Sequence, residues 1–258
     1  MTSFFPVSSK SFSAKANLLL QDVSNKFNIK NCTFGARDDA ARTYGSSGDR
    51  FFAAIWIIMY TNKCLMDQES LTQEKHLNDF PFRLNKELRC ALHQGRDPKV
   101  RDIFLKAGRM INKALEIMKP KLYPTLYRGV KKFLFADEAY FIESGFFSAT
   151  EDCDVALSFA EGQILLVVES MHGVKINDVV RPMYPREEEV LGLHGSTFKI
   201  IKTVDDPDEI RQAYPTNTPS KVIHVKQVKS WRNYLLVKKY RGWKQSAMTE
   251  TKSFCNPY

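Results

Sequence analysis

Three acidic residues stand in a row at Glu187, Glu188 and Glu189, inside the stretch YPREEEVLG. A short acidic run ordinarily faces water. If EEEVLGL is a strand, however, Glu187 and Glu189 point to one face and Glu188 to the other. Two carboxylates side by side in a cleft repel, which raises the pKa of one of them, and such a pair suits chemistry on a cationic group. Two further stretches could join them. TLYRGV puts Arg128 at the end of a short strand with Gly129 behind it. That is either a surface arginine or a guanidinium gripping a phosphate with two donors, the glycine letting the ligand come close. GFFSATEDCDVALSFA passes from a strand end at Ser148, Ala149 and Thr150 into a helix over 152–160. It is either a plain strand, cap and helix with Phe159 in the core, or a hydroxyl at Ser148 aimed at a catalytic group with Phe159 walling a flat ring. Asp152 is the expected helix cap, with Thr150 as the alternative.

The elements that must hold these residues fall into two textures. From 47 to about 118 the apolar spacing is helical. Val100, Ile103, Phe104, Ala107, Ile111, Ala114, Leu115 and Met118 make one stripe, and Pro98 suits the first turn before it. A shorter helix is expected over 82–92, and FFAAIWIIMY, apolar all round, reads as a buried helix. After Pro120 come short segments rich in β-branched and aromatic residues, separated by Gly, Pro, Asp and Asn: TLYRGV, GFFSAT, QILLVVE, EEEVLGL, TFKIIKTV, KVIHVKQV and NYLLVKKY. Helices first and strands later predict an α+β fold with a mainly antiparallel sheet. The expected organisation is a flexible segment over 1–45, one catalytic domain over 46–245 and a tail over 246–258.

The chain has 258 residues, 43% apolar and 26% charged, an ordinary globular composition. Its net charge of +9 favours phosphate-rich ligands, nucleic acid, anionic lipid or acidic proteins. The five cysteines form no C-x-x-C pair, which argues against a disulfide framework or a zinc site and for a reducing compartment. The five histidines show no metal-ligand spacing, so no metal is expected. The most apolar run is about half the ~20 residues that a membrane-spanning helix needs. The Ser- and Lys-rich start has no compact apolar region followed by a cleavage site, so it reads as a disordered tail or as an address for export without a cleaved signal.

Taken in order, LYRG, FFSATEDCDVALSFA and EEEVL resemble the arginine–serine–glutamate class of mono-ADP-ribosyltransferases. That family shows an aromatic-Arg-Gly strand, a Ser-x-[ST] strand end before a helix with Ala and Phe, and Glu-x-Glu before Val-Leu. The likeness to the arginine-specific vertebrate ecto-enzymes takes in AIWIIMYTN, LNKEL, the helix through ALEIM and YPREEEVL, so that residues 51–200 take part. Ala149 departs from the family's usual Thr or Ser, at a position not expected to act, and the paired cysteines of the secreted members are not evident. The resemblance equally fits bacterial effectors and toxins exported without a cleaved signal. With neither the secreted members' signal peptide nor their cysteine pairs evident, the expectation is a protein that is cytosolic or exported in that way into a host cytoplasm, rather than extracellular.

For fold, the resemblance implies an N-terminal helical subregion followed by a two-sheet β-sandwich that binds NAD. For chemistry, it implies that NAD is the substrate, that the nicotinamide–ribose bond breaks, and that ADP-ribose passes to an arginine of a target protein. Glu189 would hold a ribose hydroxyl and stabilise the oxocarbenium-like transition state. Ser148 would orient Glu189, Arg128 with Gly129 would bind the pyrophosphate, and Phe159 would wall the nicotinamide. Glu187 would hold the acceptor guanidinium and take its proton. Tyr184 would stand on the acceptor-recognition loop, stiffened by Pro185, unless it simply packs. Two alternatives stay open. One is an NAD glycohydrolase with water as acceptor. The other is an inactive binding module for an acidic partner or RNA, using the basic C-terminal stretch with Trp231, Tyr234, Tyr240 and Trp243.

Overall fold

The computed structural model describes residues 9–27, 29–61, 79–90, 98–133, 135, 139–179 and 188–228. The chain divides into two compact units, Met1–Pro120 with Ile176–Pro185, and Lys121–Lys175 with Arg186–Tyr258.

The first unit is helical: α1 (Ser9–Lys26), α2 (Lys30–Tyr44), α3 (Asp49–Thr61), α4 (Phe80–Cys90) and α5 (Pro98–Ile117). The stripe expected on α5 is the buried one, with Phe104, Ala107, Ile111, Ala114 and Leu115 all inside. α3 is buried on every side, as its all-round apolar sequence requires. The flexible segment expected over 1–45 is corrected by α1 and α2. Phe12, Ala16, Leu20, Val23 and Phe27 recur at three-to-four spacing and are buried, and Phe27 stacks on Phe104 at 4.9 Å between ring centroids. Serines and lysines between these positions dilute the composition without breaking the stripe. The Tyr44 hydroxyl at the end of α2 donates to the Val179 carbonyl at 2.9 Å, and burial raises the tyrosine's pKa.

The cysteine reading also changes. Cys32 on α2 is disulfide-bonded, while Cys153 is a free thiol. Sequence spacing carries no Cα–Cα distance, so it could not reveal the pair. With a disulfide present, cysteine usage no longer argues for a reducing compartment.

The second unit holds β1 (Lys121–Val130), β2 (Tyr140–Glu143), β3 (Phe147–Thr150), α6 (Cys153–Ala160), β4 (Ile164–Lys175), β5 (Glu189–Gly192), β6 (Ser196–Val204), α7 (Pro207–Ala213) and β7 (Lys221–Gln227). The strand order is β1-β3-β5-β4-β7-β6-β2, with β1 also paired to β4. All pairings are antiparallel except β4 with β7. Phe147 of β3 lies 4.5 Å, ring to ring, from Phe198 of β6. Those strands are four steps apart in the ladder, about 19 Å in a flat sheet. The sheet therefore folds over itself into two layers around one core, to which all the strands contribute: Leu126, Phe141, Phe147, Val168, Val190, Phe198 and Ile223 among others. The α+β architecture matches expectation, with the two layers joined through β4 and β1 rather than separate.

On the outer face, Ala156 and Leu157 of α6 and Ile210 of α7 cover Leu165, Val167 and Val222. Asp206 caps α7 by accepting from the Asp208 and Glu209 amides. The segment NYLLVKKY with Tyr234 and Tyr240, and Trp231 and Trp243 on either side of it, lie outside the described residues.

Candidate active site

β1, β3 and β5 are consecutive in the sheet, and they carry Arg128, Ser148 and Glu189 respectively. The register sets Ser148 opposite Leu191, Ala149 opposite Val190 and Thr150 opposite Glu189. Phe147, Ala149 and Val190 belong to the core between the layers. By alternation, Ser148, Thr150 and Glu189 share the other face, with Ser148 and Glu189 as diagonal neighbours. Ala149 packs inward, which explains why a small apolar residue serves there.

Arg128 follows a different path. Its guanidinium carbon lies 4.7 Å above the centroid of the Phe147 ring, a cation–π contact on the core side of β3. Its Nη1 is buried and has no hydrogen-bond partner among the described residues. A buried guanidinium N–H without an acceptor is costly, so this one suits an anionic ligand oxygen. β1 thus runs beside the strand of Ser148, while the Arg128 guanidinium lies over Phe147 on the core side, the face opposite to Ser148 and Glu189.

The turn from β3 into α6 is well defined. The Asp152 amide donates to Thr150 Oγ1 at 3.0 Å. Asp152 Oδ1 accepts from the Asp154 and Val155 amides at 2.8 and 3.2 Å. Asp152 is thus the N-cap, and Thr150, two residues earlier, holds the amide of Asp152 rather than capping the helix. Cys153, first in the helix, has its thiol pKa pushed up by burial and further by Asp154 and Asp152, so it is no ready nucleophile.

Several expected site residues read differently in place. A Cβ on Gly129 would lie 2.0 Å from the Ala156 carbonyl oxygen and 2.3 Å from the Ala160 amide nitrogen. The glycine therefore lets α6 pack against β1. Phe159 is 53% exposed on α6 and so is not in the core. The strand alternation assumed for EEEVLGL does not hold at its start. β5 begins at Glu189, and Glu188 is left-handed with φ 44°. Glu188 is not simply solvated either, since Lys175 Nζ lies 3.5 Å from its Oε2. Glu187, Tyr184 and Pro185 lie outside the described residues.

Thr150 and Lys175 contribute as well. Thr150 has a weak signal, as the last residue of the serine stretch. Lys175 has none, because its partners are remote in the chain. Among the described residues, no group of His, Cys, Asp and Glu could hold a metal ion. No described helix is long and apolar enough to cross a membrane.

No protein-family model and no curated protein matches the chain at the level of sequence. Solved structures do match it. A mutant of the eukaryotic mono-ADP-ribosyltransferase ART2.2 in complex with NAD gives a TM-score of 0.58 at 16% identity, over 88% of this chain and 91% of that one. A second ART2.2 mutant, in complex with NADH, gives 0.54 at 16% identity over the same shares, 88% and 91%. The ADP-ribosyltransferase HopU1 of Pseudomonas syringae pv. Tomato DC3000 gives 0.52 at 17% identity, over 86% of this chain and 98% of that one. The chain has the fold of the mono-ADP-ribosyltransferases.

Proposed function

We propose that this protein cleaves NAD and transfers ADP-ribose to an arginine side chain of a target protein. The observation that carries this reading is the register of β3 and β5, which puts Ser148 and Glu189 on one face beside the strand of Arg128. The fold supports NAD as substrate, and the unmet buried N–H of Arg128 supports a phosphate-bearing ligand.

In the reaction, the bond from the ribose anomeric carbon to the nicotinamide nitrogen breaks, and nicotinamide leaves with the bonding pair. Positive charge grows on the ribose, and the Glu189 carboxylate stabilises it most effectively where water is excluded. Ser148 holds the Glu189 carboxylate in direction, and Arg128 binds the pyrophosphate. An acceptor guanidinium nitrogen then attacks the anomeric carbon. Because arginine stays protonated at ordinary pH, it must lose a proton as the new bond forms. Glu187 takes that proton and holds the cation beforehand.

The test is label transfer from tagged NAD to a cell lysate, with the acceptor residue read by mass spectrometry. Glu189→Ala removes the labelling, and label in the parent sits on arginine. Labelling that survives Glu189→Ala undiminished overturns the assignment.

A further inference from the structure

Lys175 closes β4, and its ammonium lies 2.6 Å from Glu151 Oε2 and 3.5 Å from Glu188 Oε2. The position of both carboxylates in the chain is telling. Glu151 directly follows Thr150, Glu188 directly precedes Glu189, and Thr150 and Glu189 face each other across the β3–β5 ladder. Lys175 is itself the register partner of Val190, the residue after Glu189. One ammonium thus bridges the backbone segments that flank the Thr150–Glu189 pair.

The bridge acts where the strand is weakest. Glu189 is the first residue of β5, and Glu188 before it has φ 44°, a left-handed conformation that an L residue keeps only when its surroundings hold it. The Lys175 side chain is only 22% exposed, so solvent screens it less than a free surface lysine. Its pKa is raised, chiefly by the hydrogen bond that it donates to Glu151 and further by the charges of Glu151 and Glu188, against an opposing effect of burial. The ammonium therefore stays charged at neutral pH. Engaged with two acids, it leaves a net negative charge and does not cancel the field of Glu189.

We propose that Lys175 is a positioning residue, and that the Glu151–Lys175–Glu188 clamp fixes the start of β5 and hence the direction in which the Glu189 side chain leaves the sheet. The catalytic half of this rests on Glu189 being the carboxylate at the reacting ribose. Misplacing a reacting group by about 1 Å costs about a hundredfold in rate. The same clamp gives Glu188 a task distinct from that of its two acidic neighbours.

Lys175→Gln, Lys175→Arg and Glu151→Gln in the full chain test this with two readouts. The first, amide hydrogen exchange at residues 151–154 and 188–191 without substrate, does not depend on catalysis. Lys175→Gln accelerates exchange at Glu189 and Val190 by about tenfold while the slowest core amides keep their rates. The second is steady-state cleavage of NAD. Lys175→Gln lowers kcat by about tenfold with KM for NAD unchanged, because the group acts through Glu189 and not on the ground-state ligand. Lys175→Arg restores most of kcat, and Glu151→Gln added to Lys175→Gln costs little more than either change alone. Unchanged exchange in Lys175→Gln overturns the clamp. A raised KM at unchanged kcat overturns the positioning role and makes Lys175 a contact to the ligand. A parent chain that leaves NAD intact sinks the functional reading and not the clamp, which the exchange rates decide by themselves.

Discussion

The helices of the first unit meet through side chains, whereas α6 and β1 in the second unit meet through bare backbone. Phe27 stacks on Phe104 at 4.9 Å, and ring contacts of that kind adjust by rotating a χ angle. At Gly129, a Cβ would sit 2.0 Å from one backbone atom of α6 and 2.3 Å from another. Backbone cannot rotate out of the way. The contact between α1 and α5 is therefore built with tolerance and the contact between α6 and β1 without it. The candidate catalytic residues Arg128, Ser148 and Glu189 all lie in the unit that holds the α6–β1 contact.

The sharpest way to break this contrast is Gly129→Ala. The added methyl must push α6 away by more than an ångström, at a cost of about 3–5 kcal/mol, at or above the top of the overpacking range. The displacement also reaches the site, because the Asp152 amide before α6 bonds Thr150 Oγ1, and Thr150 faces Glu189. Cleavage of NAD falls by about a hundredfold. Urea unfolding and NAD turnover measure the two effects. A variant that unfolds within about 0.5 kcal/mol of the parent would show that the α6–β1 contact yields like a side-chain contact.

The counterpart in the helical unit is Leu20→Ala. Leu20 is fully buried on α1, and its truncation leaves a cavity worth about 3 kcal/mol. The protein that remains folded keeps its kcat, because no register or backbone contact of β1, β3 or β5 is altered. Thermal unfolding beside NAD turnover checks both halves. A loss near zero would return residues 9–44 to the status of a tail. A loss of kcat in the folded fraction would remove the division of labour between the units.

How much of this was legible in the sequence follows the same division. The α5 stripe and the all-apolar α3 were plain, because helix periodicity is a local property. α1 was hidden only by composition, since its stripe was present but carried partly by alanine among serines and lysines. Most strands were visible as β-rich runs. β2 and α7, the latter announced only by Asp206 and Pro207, do not stand out in the sequence. Arg128, Ser148 and Glu189 were accessible as an ordered set of motifs, and the ladder puts their strands side by side. The start of β5 was not accessible, because Glu188 turns left-handed and no pattern of alternation reports that. The packing of α6 on Gly129 is not legible for a related reason: a glycine in a strand signals a close approach, but the sequence does not say of what. The link between Lys175 and its two acids depends wholly on register, which exists only once the strands have paired.

A smaller effect should fall on the strand unit alone. The described part of the helical unit contains no histidine, whereas His224 sits on β7 opposite Val167 and Lys202. Burial pushes its pKa down and Lys202 pushes it further. Glu169, whose Oε1 lies 3.6 Å from His224 Nδ1, and Glu209 pull the other way without reversing the shift. In the unfolded chain this histidine takes a proton below about pH 6.5, and in the folded protein only at lower pH. Between those values the unfolded state holds more protons, so stability rises with pH. The contribution is complete above about pH 6.5, declines as pH falls through that value, and levels off below the folded pKa. The parent therefore melts a few degrees lower at about pH 5.5 than at about pH 7.5, and His224→Gln narrows that gap. Hydrogen exchange at the acid pH should locate the loosening in β4, β6 and β7 and spare α3 and α5. An equal gap in parent and variant would assign the pH dependence to other groups, and equal loosening of α3 would show that the two units respond as one.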